Sequence, residues 1–148
     1  VFFPVQHLQA ERKINLSHTP ICIEVLVEET EALLVHLAKD ISDSLYLVNG
    51  EERKRIHLAM LMAGVFTQQL WLQAQSLLES IELDKQLIQG LLQNYVQAFF
   101  ANQVLASNQE SAKMQDTRIS LDHQSLLEKP EMREIYRNMV ELVRQKSI

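Results

Sequence analysis

The strongest constraint on the fold is a run of nine residues, Leu58–Phe66, that contains no polar side chain. A surface helix has one apolar stripe, whereas a helix that is apolar all round must be covered on every side. The run is too short to cross a bilayer, which needs about 20 residues. It therefore predicts a long, buried central helix that is enclosed by other helices or by a second copy of the chain.

The start of this helix has its own local signal. Asn49 is a favourable N-cap, and Glu52 follows three residues later, as in a capping box. A charged first turn precedes the apolar run, and His57 lies at the entrance to it. These features predict a helix from about residue 50 to about residue 79.

The rest of the chain is also mostly helical by its apolar spacing. Residues 1–20 are predicted to be extended and loop, with Pro4 and Pro20 as breakers. The remaining predicted elements are a strand over 21–25, a helix over Glu28–Ile41, a strand or connector over 45–48, a helix after Asp84, a loop over Ala106–Asp116, a helix that Asp116 caps and a last helix from Pro130. The expected fold class is mainly α: a helical bundle around the long helix, with one or two short strands near the N-terminus.

Composition narrows the function. With 148 residues, 47% of them hydrophobic and 22% charged, the chain is expected to be a single domain. A net charge of −5 and the absence of a long basic run argue against nucleic-acid binding, and no segment is long enough to be a membrane span. The single cysteine, Cys22, is expected to be buried, and its isolation fits a cytoplasmic protein.

Glycines and histidines exclude further classes of site. The three glycines, Gly50, Gly64 and Gly90, are too far apart to form a nucleotide-binding loop. The histidines show no metal-ligand spacing, so no metal site is expected. The apolar start at Val1, without a methionine, is typical of a chain that has been cut from a longer one.

Four motifs, in their order and spacing, resemble the C-terminal part of a known family. The motifs are Phe3-Pro4-Val5-Gln6, Pro20-Ile21-Cys22-Ile23-Glu24, Arg53-Lys54-Arg55-Ile56-His57-Leu58-Ala59, and Asp116 followed by His123, Pro130, Ile135 and Tyr136. The family consists of two-domain, Rossmann-like proteins that are classed with NADP-dependent oxidoreductases and carry a C-terminal domain of unknown function (DUF2520). The resemblance covers nearly the whole chain.

This resemblance implies an architecture and a role. The architecture is similar to the C-terminal domain of 6-phosphogluconate dehydrogenase: a helical domain that forms a homodimer and walls the substrate side of a cleft. An upstream domain, absent from this chain, would bind most of the NADP or NAD. The implied reaction is hydride transfer to or from a small carbonyl, imine or hydroxy compound. The isolated chain is expected to be inactive and to bind no cofactor.

The sequence also departs from the family pattern. Val65-Phe66 stands where the family has Asn-Phe, and the segment Asn108–Asp116 lacks the family's Thr-Gly-Pro turn and arginine. An anionic substrate or a transition state would use such hydrogen-bond donors. An alternative function is therefore a non-catalytic helical module that dimerises or acts as a scaffold.

His57 is the candidate catalytic residue. It precedes Gly64 by seven residues, so an α-helix would put both on one face, where His57 could exchange protons and Gly64 could leave room for a ligand. The alternative is that His57 bonds a carbonyl or carboxylate while Gly64 permits close helix packing.

The candidate substrate-binding residues are Gln6, Gly64, Asp116 and His123. Asp116 and His123 are also seven residues apart, which places them near one helical face. They could instead be a helix cap and a hydrogen-bonded or surface histidine.

Overall fold

The computed structural model of the protein describes residues 1–6, 15–102 and 116–145. The chain divides into two compact units, Val1–Lys85 and Gln86–Ile148. Of the loop predicted over Ala106–Asp116, residues 106–115 lie outside the described residues.

The first unit contains a three-stranded sheet in the order β1-β2-β3, formed by β1 (Phe2–Pro4), β2 (Ile21–Ile23) and β3 (Leu45–Leu47). β1 is antiparallel to β2, and β3 is parallel to β2. A single turn of 3₁₀-helix (Glu28–Thr30) and helix α1 (Glu31–Ile41) connect β2 to β3. The strand β1 lies in the region predicted to be extended and loop, and it brings the number of described short strands to three where one or two were expected. Pro4 is tolerated because β1 is an edge strand, where a missing N–H breaks no ladder.

The core of the first unit lies between one face of the sheet and α1. Ile21 and Ile23 are fully buried and pack with Ala38 of α1. Because side chains alternate along a strand, Cys22 lies on the opposite face, and it too is buried, as the sequence predicts. Phe3 is directly opposite Cys22 in the sheet register and therefore shares that second face.

The long helix spans residues 50–79 in three consecutive parts: α2 (Gly50–Met60), a π-helical segment (Leu61–Phe66) and α3 (Thr67–Glu79). Its predicted bounds are confirmed, but the π-helical segment was not expected. The helix ends in a Schellman motif: the N–H of Leu83 donates to Leu78 O (3.0 Å), and the N–H of Glu82 donates to Glu79 O (3.1 Å). Glu82 has φ 60°, the left-handed conformation that this motif requires.

The prediction that the chain buries its long helix is wrong for the described residues. None of Leu58–Phe66 is buried, and Leu58, Met62 and Phe66 are 54%, 59% and 52% exposed. The reason is that the core of the first unit is made by the sheet and α1, and it does not include the apolar run. The sequence allowed the apolar run to be covered either by other helices of the chain or by a second copy of it. Coverage by a second copy remains a prediction.

The second unit contains α4 (Gln89–Phe100), preceded by a 3₁₀ turn (Lys85–Ile88) that begins in the first unit, followed by α5 (Thr117–Ser125) and α6 (Pro130–Gln145). The three predicted helices are therefore confirmed, with Pro130 at the first position of α6 as expected. The mainly α fold class is confirmed as well.

Candidate functional site

The N-terminus of the long helix is fixed by a complete capping box. The Asn49 side chain accepts from the N–H of Glu51 (2.9 Å) and of Glu52 (2.9 Å), and the Glu52 carboxylate accepts from the N–H of Asn49 (2.8 Å). Three backbone N–H groups that would lack a partner are thus satisfied. The cap sets where α2 begins and hence the position of every residue on its first turns.

A second anchor joins the first turn of α2 to the end of β2. Arg53 donates from Nε to Glu24 Oε2 at 2.7 Å, and the two side chains are only 32% and 11% exposed. The Glu24 carboxylate lies so close to the helix that a Cβ added to Gly50 would be 2.8 Å from Glu24 Oε1. Gly50 therefore makes room for the carboxylate, which also lies favourably near the positive end of the helix dipole.

His57 lies one helical turn after Arg53, and its side chain is exposed. Its ring contacts the ring of Phe3 edge-on, with centroids 6.1 Å apart. In the described part of the chain, neither of its nitrogens has a hydrogen-bond partner, so the expected alternative of a carbonyl or carboxylate partner is not observed there. His57 therefore presents an imidazole on the side of the sheet that carries Phe3.

Gly64 lies within the π-helical segment. Apart from the neighbouring backbone of its own helix, a Cβ added there would meet no atom of the described residues within 4 Å, so close packing against the rest of the described chain does not explain this glycine. Thr67 closes the segment by donating from Oγ1 to Met62 O at 2.7 Å. Because a π turn holds more residues than an α turn, the seven-residue spacing from His57 to Gly64 no longer follows α-helical periodicity. Segments of this kind occur often at functional sites.

The candidate residues of the second unit are both engaged in local contacts. Asp116 caps α5, with Oδ1 accepting from the N–H of Arg118 at 2.8 Å. Nδ1 of His123 is 2.8 Å from the Tyr136 hydroxyl, which joins α5 to α6. This hydrogen bond engages one ring nitrogen of the exposed His123, and Nε2 has no hydrogen-bond partner among the residues that the structure describes.

Gln6 follows β1 in a bend and is exposed. Gln6, His57 and Gly64 belong to the first unit, whereas Asp116 and His123 belong to the second. Their assignment to one substrate site stays a prediction.

Sequence reasoning missed three contacts around these residues. Glu24 and Arg53 stand in two separate motifs, and neither motif predicts their contact across 29 positions. Phe3 and Tyr136 likewise stood in motifs, and neither was identified as the ring that touches a candidate histidine. The four-residue spacing of Arg53 and His57, about one helical turn, was the sequence signal that these two side chains are neighbours on the long helix.

The remaining chemistry of the described residues is sparse. Burial raises the pKa of the Cys22 thiol above its ordinary value, because the thiolate would lose hydration. No group of three or more His, Cys, Asp or Glu side chains in the described ranges could hold a metal ion. None of the described helices is both long and apolar enough to cross a membrane.

The fold defines a class of protein domain: a mainly α domain built on a long, interrupted helix. A crystal structure of a protein from Bacteroides fragilis, named as a "putative NADP oxidoreductase", has this fold with a TM-score of 0.80 and 23% identity. The match covers 97% of this chain and 56% of that one, so this chain spans little more than half the length of the matched protein. Residues 19–143 match the family named "Domain of unknown function (DUF2520)", and the chain belongs to this family. No curated protein is significantly similar to the chain.

Proposed function

We propose that the chain is the helical, substrate-side and dimerising domain of an NAD(P)-dependent oxidoreductase. One observation carries the proposal: almost the whole chain has the fold of part of a protein named as an NADP oxidoreductase. In the complete protein, a separate cofactor domain would bind NADP or NAD. The reaction would be hydride transfer to or from a small carbonyl, imine or hydroxy compound.

The role of the long helix in dimerisation is supported by its exposed apolar side chains. Leu58, Met62 and Phe66 follow one another at intervals of four residues, and each is at least half exposed. Burial of apolar surface contributes about 25 cal/mol per Å², so pairing of this surface with a second copy would be favourable. Met62→Glu is expected to convert a dimer into a monomer in sedimentation equilibrium. The control is Leu33→Glu, which puts the same charge on an exposed leucine of α1.

Within this function His57 would act as the acid–base or substrate-contacting residue. An exposed imidazole without a hydrogen-bond partner in the described ranges supports this role. In the complete protein, His57→Gln is expected to lower kcat by about 10²–10⁴-fold if His57 transfers the proton. His36→Gln is the control, because it removes an exposed histidine of α1 without touching α2.

The decisive test uses the complete gene product. The DNA upstream of the codon for Val1 should encode a strand, a glycine-rich turn and a helix, and the complete protein should bind NADPH or NADH. The isolated chain should neither catalyse hydride transfer nor bind the cofactor tightly. Turnover by the 148 residues alone would contradict the proposal.

A non-catalytic dimerisation or scaffolding module is the second candidate function. Exposure of the apolar run favours association and requires no catalytic group. A complete protein that dimerises and binds neither nicotinamide cofactor would identify this module instead.

A further inference from the structure

The Glu24–Arg53 pair uses only part of the Arg53 guanidinium. An arginine has five N–H donors, and here Nε alone is engaged, with Glu24 Oε2. Within residues 1–6, 15–102 and 116–145, no group accepts from the two Nη nitrogens. The carboxylate of the pair is nearly buried, whereas the arginine keeps 32% of its side-chain surface exposed. Glu24 therefore holds the guanidinium through Nε and leaves both Nη nitrogens without an acceptor among the described residues.

Arg53 and His57 are neighbours on the surface of α2. They are separated by four residues within the regular α-helical segment, which brings their side chains together. The Phe3 ring contacts the His57 ring edge-on. Two groups that donate N–H bonds are thus adjacent, and neither has its donors fully used.

The acidic residues of the same turns are already engaged. Glu52 accepts from the N–H of Asn49, and Glu51 accepts from Lys54 Nζ at 2.8 Å. Glu24 carries the charge that orients Arg53. The open donors of Arg53 and His57 are therefore not satisfied by the carboxylates around them.

We propose that Arg53 and His57 form a binding site for a carboxylate or phosphate group of a small ligand, with Glu24 as the residue that positions Arg53. A guanidinium fork matches the geometry of two anionic oxygens, and a fork fixed in advance loses less entropy on binding. The site rests on the proposed function in that His57 would face the substrate. The site also extends the proposed function, because it predicts that the ligand carries an anionic group.

Anion binding can be measured by NMR on the ¹⁵N-labelled chain, without any turnover. Inorganic phosphate and acetate are titrated separately at constant ionic strength, with chloride as the compensating anion. We expect saturable shifts of the Arg53 Nε–Hε signal and of the His57 ring signals. Tighter binding of acetate would indicate a substrate carboxylate, and tighter binding of phosphate a phosphorylated ligand or cofactor. Linear, unsaturated shifts with both anions would overturn the proposal.

Matched variants test which residues form the site. Arg53→Gln should weaken binding at least tenfold, whereas Arg55→Gln, which removes the same charge two positions away, should change it less than twofold. Equal weakening by both variants would mean that only net charge attracts the anion, and the proposal would be wrong. Arg53→Lys keeps a positive charge beside Glu24 but loses the fork, so it should fold and still bind several-fold more weakly.

The contribution of His57 is tested separately. His57→Gln should weaken binding severalfold, and unchanged binding would remove His57 from the site. This outcome is distinct from failure of the proposed function, which is judged by cofactor binding and hydride transfer in the complete protein. An inactive complete protein whose chain still binds anions through Arg53 would keep the site and reject the oxidoreductase.

Discussion

The Glu24 carboxylate lies so close to Gly50 that Gly50→Ala should destabilise the fold when Glu24 is present and stabilise it when Glu24 is replaced by alanine. A methyl group at position 50 would lie 2.8 Å from Glu24 Oε1, so Gly50→Ala must displace the carboxylate. That displacement strains the 2.7 Å bond from Arg53, and a hydrogen bond to a charged group is worth about 1.5–3 kcal/mol. Gly50 has no positive φ, so alanine can adopt its backbone conformation.

An effect on the unfolded chain opposes this loss of stability. Replacing a glycine by alanine at a compatible position stabilises by about 0.4–1 kcal/mol, because the unfolded state loses freedom. When the Arg53–Glu24 bond is lost, its contribution exceeds this gain, and Gly50→Ala should lower the free energy of unfolding by about 0.5–2.5 kcal/mol. In the Glu24→Ala background the obstacle is gone, and the same substitution should stabilise by about 0.4–1 kcal/mol.

Urea unfolding followed by far-UV circular dichroism measures both effects. The wild type, the two single variants Gly50→Ala and Glu24→Ala, and the double variant are compared at one protein concentration, because association would shift the apparent stability. Gly64→Ala is the control: apart from the neighbouring backbone of its own helix, no described atom, Glu24 included, lies within 4 Å of the added Cβ, so its effect should be the same in both backgrounds. A Gly50→Ala effect that agrees between backgrounds within about 0.5 kcal/mol would refute the reasoning.

Three further predictions concern stability and pH. Asn49→Ala should lower the free energy of unfolding by about 1–2 kcal/mol in urea titrations, because the capping box loses its acceptor, whereas Asn94→Ala within α4 should not. Glu82→Gly should raise the melting temperature, since glycine relieves a left-handed conformation that costs other residues about 1–2 kcal/mol, and a decrease would contradict this account. The raised pKa of Cys22 means that the folded state keeps its proton where the unfolded chain has lost it, so this stability is present below the pKa of the unfolded thiol and is lost as pH rises above it. Urea titrations from neutral to alkaline pH should therefore show a steeper decline for the wild type than for Cys22→Ala, and parallel declines would exclude the thiol as the cause.

The features that the sequence predicts well depend on neighbouring residues. The capping box needs only Asn49 and Glu52, and the cap of α5 needs only Asp116 and the residues that follow it. The first position of α6 follows from Pro130 alone. Each signal acts within one helical turn, so no knowledge of the fold is required to interpret it.

The features that were missed depend on residues far apart in the chain. β1 forms because Phe2–Pro4 pairs with Ile21–Ile23, and such a short apolar stretch has no strand periodicity of its own. The Glu24–Arg53 bond spans 29 positions and the His123–Tyr136 bond spans 13. Their motifs gave the order of these residues, but a contact between side chains requires the packed fold.

The long helix combines the two kinds of information. Its N-terminal turns are fixed by polar groups of the chain itself: the N-cap Asn49, Glu52 in the first turn, and Glu24, which follows β2. Its middle carries the apolar run, which the described residues leave exposed. Directional hydrogen bonds determine position, whereas apolar surface contributes affinity without direction. The proposed division of roles follows from this difference: the polar end holds Arg53 and His57 in place for a ligand, while the apolar middle supplies the surface for a second copy.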